Sequence, residues 1–434
     1  MKNRQWFLAL LLTLLATVTP HFSAPALSSE IHYASVEGII NPVVAEFISG
    51  SIDRAEAANA EAVIIQLDTP GGLDLSMRDI IKHIFSADVP VVVYVAPAGS
   101  RAASAGVFIT YAANIAAMAP GTNIGSAHPV ALGGGKMDDT MMKKVENDAV
   151  AYIKSIAAKR KRNADWAEKA VRESVNITAE EALKLNIIDI VAENRDDLIK
   201  KLDGRKVTLA SGERVIKTKD AVVVEVEMDL RARVLKAITN PNVAYILMLI
   251  GIMGLYFELS NPGAVLPGVV GAICLVLAFY AFQSLSVNYA GLLLIALALI
   301  FFIVEVKVVS YGLLTVAGIV SLVLGSLMLF NSPAPFMRLS LWVVLPAVLL
   351  MTAFIVGTMY YAVRLHKRRP VSGAEGLVGE VGRAAGDILP GSEGKVFIDG
   401  EYWNAVSDED IKTGEEVRVV SVDGLHLKVS KKTR

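Results

Sequence analysis

The sequence predicts a chain of three parts: an α/β domain, a multi-span α-helical membrane region and a small all-β barrel of the OB type. Three observations predict it. Short continuous apolar runs alternate with helical patterns over residues 31–200. Long apolar runs follow between residues 243 and 363. Short β-like runs punctuated by glycine turns fill residues 371–434.

Composition limits the function classes. Of the 434 residues, 53% are hydrophobic, more than a wholly soluble protein carries. A net charge of -1 gives no reason to expect nucleic acid as a partner. The single cysteine, Cys274, excludes an intrachain disulfide and a Cys-rich metal site. The six histidines are scattered, without metal-ligand spacing.

The first residues read as an export signal over 1–26. Lys2 and Arg4 form a positive start, Trp6 to Val18 an apolar stretch too short to span a bilayer comfortably, and Ala24-Pro-Ala26 a small-residue cleavage site. The following domain, residues 27–235, is therefore expected outside the cytoplasm. Its apolar strands are Ala62–Leu67, Val89–Val95 and Ile115–Met118, with helices expected over Val43–Ala58, Leu73–Phe85 and Ala102–Tyr111. Continuous apolar strands alternating with helices imply a sheet covered on both faces. Residues 139–160 carry an apolar stripe of Val145, Ala149, Tyr152, Ile153 and Ile156 on a long polar helix. Thr178 and Glu181 form a capping box. A short strand at Ile187–Val191 and a hairpin within 205–227, around Ala210-Ser-Gly212, follow. Leu230–Ile238 reads as an amphipathic helix leading to the membrane.

Five apolar runs approach spanning length: Ala244–Leu259, Ala264–Phe282, Tyr289–Val304, Tyr311–Phe330 and Leu341–Val363. Glu305 and Lys307 read as an interfacial pair. The cluster Arg364, His366-Lys-Arg-Arg369 favours the cytoplasmic side. An exported first domain, five spans and a cytoplasmic tail agree with one another, as expected for a multi-pass protein of the inner (cytoplasmic) membrane. In the tail, Gly follows Pro390, Asp399, Thr413 and Asp423, and marks turns between short strands. An OB-like barrel alone does not imply nucleic-acid binding.

Chemistry concentrates in the first domain. Leu67-Asp-Thr-Pro-Gly-Gly72 follows a strand directly, and its glycines let backbone N–H groups approach a ligand. Ser100-Arg-Ala-Ala-Ser104-Ala-Gly106 places a serine at the start of a helix of small residues, under backbone donors suited to an oxyanion. A serine hydroxyl needs a neighbour to take its proton. His128, Lys143, Lys144 and Lys154 lie downstream as candidate bases. Lys144 and Lys154 both adjoin the apolar stripe, so helical phase does not separate them. The oxyanion donors are expected to be the N–H groups of Gly71 and Ala105, with Asp68 a turn residue.

The Asp-Thr-Pro-Gly-Gly72 turn, the Ala-Ala-Ser104-Ala-Gly element and Met118-Ala-Pro-Gly-Thr-Asn-Ile-Gly125 resemble the membrane-bound ClpP-class serine proteases of the NfeD family, long form. The resemblance continues through Asn147-Asp-Ala-Val-Ala-Tyr-Ile-Lys-Ser155, Arg162-Asn-Ala-Asp-Trp166, the spans and the barrel. It implies a ClpP/crotonase-like spiral domain and a Ser–Lys dyad. Ser104 matches the nucleophile, and Lys144, in Lys-x-x-Asn147, matches the base. It also implies assembly at least as dimers, a stomatin-like (SPFH) membrane protein as substrate or partner, and no metal or organic cofactor. The rival readings are Ser–His catalysis through His128, an inactive membrane scaffold, and an acyl-CoA enzyme of the crotonase type. An exported domain meets little CoA, and the spans lack a charged pathway for a transporter.

Overall fold

The computed structural model describes residues 29–130, 138–260, 263, 265–308, 310–330, 332, 337–366 and 376–432. The expected export signal and residues 367–369 of the basic cluster lie outside these. The chain forms two compact units, Met1–Leu349 and Leu350–Arg434.

The first unit runs β1 (Glu30–Glu37), α1 (Pro42–Ala57), β2 (Ala62–Asp68), α2 (Asp74–Ser86), β3 (Val91–Val95), β4 (Arg101–Ala103), α3 (Ala105–Ala112), β5 (Ile115–Met118) and β6 (Asn123–Gly125). It continues with α4 (Asp139–Arg160), α5 (Ala164–Arg172), β7 (Asn176–Thr178), α6 (Ala179–Lys184), β8 (Ile190–Val191), α7 (Arg195–Leu202), β9 (Lys206–Thr208), β10 (Glu213–Val215), β11 (Val222–Val226) and α8 (Leu230–Ile238). The main sheet is parallel throughout, in the order β11-β1-β2-β3-β5-β8. A second sheet, β4-β6-β7, stands apart from it.

Side-chain alternation explains the two-sided burial. Val63, Ile65 and Leu67 face a core shared with α1, α2 and α3, while Ala62 and Ile64 face a second core with α7 and β9. All of β3 is buried, as its Val-Val-Val-Tyr-Val run requires. That strand starts at Val91 rather than Val89, since Pro90 has no N–H for the ladder. The capping box at Thr178 is formed. Only β9 and β10 make the expected hairpin; β11 instead pairs in parallel with β1. The helix expected from Ala102 begins at Ala105, and residues 101–103 form β4.

Every expected apolar run is helical: α9 (Pro241–Ser260), α10 (Leu266–Phe282), α11 (Tyr289–Lys307), α12 (Leu313–Leu329) and α13 (Leu341–His366). Pro241–Ser260 and Leu341–Thr358 are long and apolar enough to cross a bilayer, and the other three are shorter. α9 and α10 approach closely at small residues: a Cβ on Gly254 would lie 2.8 Å from the Cα of Gly271. In the same way, α11 and α12 meet at Gly291 and Gly325. The Tyr245 and Ser326 hydroxyls lie 2.8 Å apart and link α9 to α12. Glu305 has a specific role at a helix end. It accepts hydrogen bonds from Ser310 Oγ (2.6 Å), the Gly312 N–H (3.1 Å) and the Thr315 N–H (2.9 Å), and so caps the start of α12.

In the second unit, β12 (Val381–Ala384), β13 (Glu393–Ile398), β14 (Glu401–Val406), β15 (Glu416–Asp423) and β16 (His426–Lys431) close an OB-like barrel in the order β12-β13-β14-β16-β15. Val396, Ile398, Ala405, Val417, Leu427 and Val429 fill it. Trp403 packs against that core, whereas Tyr402 is exposed and tilts over Phe397.

Candidate active site

The site begins where β2 ends. Asp68 Oδ1 accepts the Arg101 N–H at 3.0 Å, which makes Asp68 the expected turn acid. Thr69 is fully buried. Its N–H donates to Arg101 O (2.8 Å), and its carbonyl accepts from the Ala103 N–H (3.0 Å). This bridge holds β4, and the serine after it, alongside the glycine turn. The Thr69 hydroxyl accepts the Gly71 N–H (3.0 Å) and donates to Gly71 O (3.1 Å). The sequence reading passed over Thr69, although its place between Asp68 and the Pro-Gly-Gly run was a usable signal.

Gly71 has φ +120°, a conformation that L side chains rarely adopt. A Cβ there would fall 2.6 Å from Ser104 Cβ and 3.0 Å from its Oγ. The turn therefore presses directly on the serine. Gly72 is crowded from the other side, with Ile40 O 2.1 Å from where its Cβ would be. Gly106 packs on the Thr69 methyl group.

Ser104 precedes α3 with φ 52° and ψ -115°. A non-glycine residue at positive φ stores strain, which clusters at functional sites. Its N–H donates to Gly125 O at 3.3 Å, tying it to β6. Among the described residues, the N–H groups of Ala105 and Gly106 have no hydrogen-bond partner. They form the open N-terminus of α3, beside the hydroxyl. On the glycine turn, the expected Gly71 N–H is already engaged by Thr69. Gly71 O accepts from the Ile40 N–H at 2.9 Å, so the trans peptide turns the Gly72 N–H away from Ile40. That N–H has no partner among the described residues.

The candidate bases lie in different settings. His128 is half-buried, with Nδ1 3.0 Å from Val171 O. A carbonyl only accepts, so Nδ1 carries a proton, which in the neutral ring leaves the lone pair on Nε2. Lys144 and Lys143 are exposed on α4. Lys144 has no ion-pair or hydrogen-bond partner among the described residues. Lys154 is paired with Glu168 at 2.7 Å. Arg172, with Lys154 next, draws the Glu168 carboxyl down to about 2. No hydrogen bond joins Ser104 Oγ to Lys144 or His128 among the described residues.

The turn carrying Lys144 is clamped on both sides. Arg172 binds Glu146 (2.7 Å), Asn147 (3.1 Å) and Glu168 (2.8 Å). Arg78 pairs with Asp148 and Asp74, and its guanidinium lies 4.3 Å from the centre of the Tyr152 ring. The structure thus gathers Gly71, Gly72, Ser104 and Ala105 at one point and fixes the neighbouring α4 through two arginines. Each arginine has one partner on its own helix at i,i+4 spacing, Asp74 for Arg78 and Glu168 for Arg172, but their contacts to Asp148, Glu146 and Asn147 on α4 carried no local sequence signal, because they join separate helices.

Three family profiles match the chain. "NfeD1b, N-terminal domain" covers residues 30–211, "NfeD integral membrane domain" 242–361, and "NfeD-like C-terminal, partner-binding domain" 374–431. The "Membrane-bound protease PH1510" of Pyrococcus horikoshii is 36% identical, over 93% of this chain and 94% of that protein. The "Membrane protein NfeD1b" of Bacillus subtilis is 26% identical, over 96% of each chain. Among solved structures, the "1510-N membrane protease specific for a stomatin homolog" from Pyrococcus horikoshii shares 33% identity. It covers 49% of this chain and 98% of that one, with a TM-score of 0.43.

Proposed function

The chain belongs to the NfeD family, and from that premise we propose that it is a membrane-anchored serine endopeptidase with Ser104 as nucleophile. The observation that carries this reading is Ser104 itself, strained, packed against Gly71, and followed by unbonded N–H donors. In the proposed reaction, the Lys144 amine takes the Ser104 proton, and Ser104 attacks the scissile carbonyl. The N–H groups of Ala105 and the glycine turn hold the oxyanion. At the turn, the hydrogen bonds favour Gly72 as donor over Gly71. The protonated amine then supplies the leaving group, and water releases the acyl enzyme.

The domain is of the ClpP/crotonase-like class and spans residues 27–235 after a cleaved signal at 1–26. It lies outside the cytoplasm, ahead of five spans over 243–363, with the barrel at 371–434 inside. It assembles at least as a dimer. The substrate is an apolar segment of a stomatin-like membrane protein, a reading supported by the similar Pyrococcus horikoshii protease, which is specific for a stomatin homolog.

One observation favours a second reading. His128 presents the tautomer a general base requires, since its Nδ1 proton is held by Val171 O. Fluorophosphonate labelling and casein cleavage by the full-length chain separate the two readings. Ser104→Ala is expected to abolish both signals. Lys144→Ala is expected to lose at least about 100-fold in turnover, in the range general-base removal gives, while His128→Ala keeps substantial activity. Loss in His128→Ala with a normal rate in Lys144→Ala transfers the base to His128. No label on Ser104 in a folded, membrane-inserted protein favours a scaffold.

A further inference from the structure

A cleft of about 720 Å³ lies where the first domain meets the membrane region. One wall is the juxtamembrane helix α8, which presents Arg233 and Lys236, three residues apart and thus on one face. Its apolar lining includes Phe47, Met228 and Val243. Val243 belongs to α9, so the cleft shares a wall with the first helix of the membrane region. The junction is fixed: Asn41 Nδ2 donates to Thr239 Oγ1 at 2.9 Å, in a buried bond.

The charges in the cleft are unevenly satisfied. Glu225, on its strand side, is paired with Arg195. Arg233 and Lys236 have no carboxylate partner among the described residues, although Glu227 also lines the cleft. The helix additionally exposes Leu230 (72%) and Val234 (48%), an i,i+4 apolar pair on a surface next to the membrane. Two unpaired cations, an apolar floor and a wall made by a membrane helix match the phosphate, glycerol and first methylenes of a phospholipid.

We propose that this cleft binds a bilayer glycerophospholipid, with Arg233 and Lys236 holding the phosphate and Phe47, Met228 and Val243 against the glycerol end. The test is native mass spectrometry of the full-length protein in detergent with added phosphatidylglycerol. Arg233→Gln combined with Lys236→Gln is expected to weaken lipid retention about 25-fold, from roughly fivefold per cation. Arg231→Gln serves as the control, since Arg231 lines a neighbouring groove with Glu46 and Arg54. It is expected to change retention less than about twofold. Unchanged melting temperatures establish that both variants are folded. Equal losses in the double variant and the control would reduce the effect to general attraction and overturn the site, as would undiminished retention in the double variant. Displacement of the lipid by inorganic phosphate would make it a free-anion site, and displacement by casein peptides a peptide groove; either also overturns the proposal.

Discussion

Replacing Gly71 by alanine is expected to lower peptidase turnover about 100-fold or more, with the protein still folded. Two effects act together. At φ +120° an alanine is strained whatever space surrounds it. Its Cβ would also fall 2.6 Å from Ser104 Cβ and 3.0 Å from Oγ, so either the turn or the nucleophile must move. Displacing a reacting group by an ångström costs on the order of 100-fold in rate. Losing one oxyanion donor costs about 100- to 1,000-fold. Gly204→Ala isolates the backbone term, since Gly204 has φ +73° with nothing within 4 Å of an added Cβ. It carries the strain without the collision and is expected to cleave casein at the parent rate. The decisive readout is the rate of fluorophosphonate labelling at Ser104. Labelling of Gly71→Ala at the parent rate would mean that the turn does not shape the nucleophile's surroundings.

What was legible in the sequence follows from how strongly each segment's own residues dictate its state. β2 and β3 are apolar without interruption, and no alternative burial suits such runs. The five strands of the barrel are bounded by turn residues, which punctuate the chain whatever packs around them. β1 is different. Its Glu-Ile-His-Tyr-Ala-Ser-Val-Glu sequence mixes polar groups into a strand that lies between β11 and β2, and its burial is imposed by those neighbours. β4 is a strand because it pairs with β6 on one side and is bridged by Thr69 on either side of Ala102 on the other, contacts between segments that local pattern does not carry.

The candidate site divides along the same line. The glycine turn and Ser104 are contiguous motifs, and their meeting follows from adjacent parallel strands that end side by side. The base is not contiguous with either. Lys144 and Lys154 both adjoin the apolar stripe of α4, and what distinguishes them is tertiary: Lys154 is paired with Glu168 on α5, while Lys144 has no such partner among the described residues. The proton on His128 Nδ1 is likewise set by a carbonyl on α5. For the oxyanion, sequence singled out the glycine pair, but the choice between its members depends on the Thr69 hydroxyl and on Ile40.

The largest expected effect on stability is at Arg162, whose side chain is only 2% exposed. Its guanidinium donates to the carbonyls of Tyr111 (3.3 Å), Ala113 (3.2 Å) and Ile187 (3.2 Å), and to Asp189 Oδ2 at 2.8 Å. Asp189 Oδ2 also accepts the Ala116 N–H at 2.8 Å. Arg162→Met keeps the bulk of the side chain and removes every donor, leaving three carbonyls without the arginine and Asp189 without its cation. Breaking a buried charge pair by removing one partner costs about 3–5 kcal/mol. Asp189 retains 31% exposure, which favours the lower end. For a domain of this size the loss corresponds to a fall in melting temperature of roughly 6–20 °C. Trp166, stacked on Tyr111 with ring centres 6.1 Å apart, gives an intrinsic fluorescence signal beside the lesion. Arg162→Met with Asp189→Asn is expected to lose less than the sum of the single losses, because the asparagine leaves no unpaired charge. A melting temperature unchanged in Arg162→Met would mean that water satisfies these groups as well as the arginine does. The consequence for catalysis is direct: Arg162 grips the C-terminal end of α3, whose other end carries Ser104. Loosening that helix is expected to slow labelling of Ser104 below the melting temperature as well.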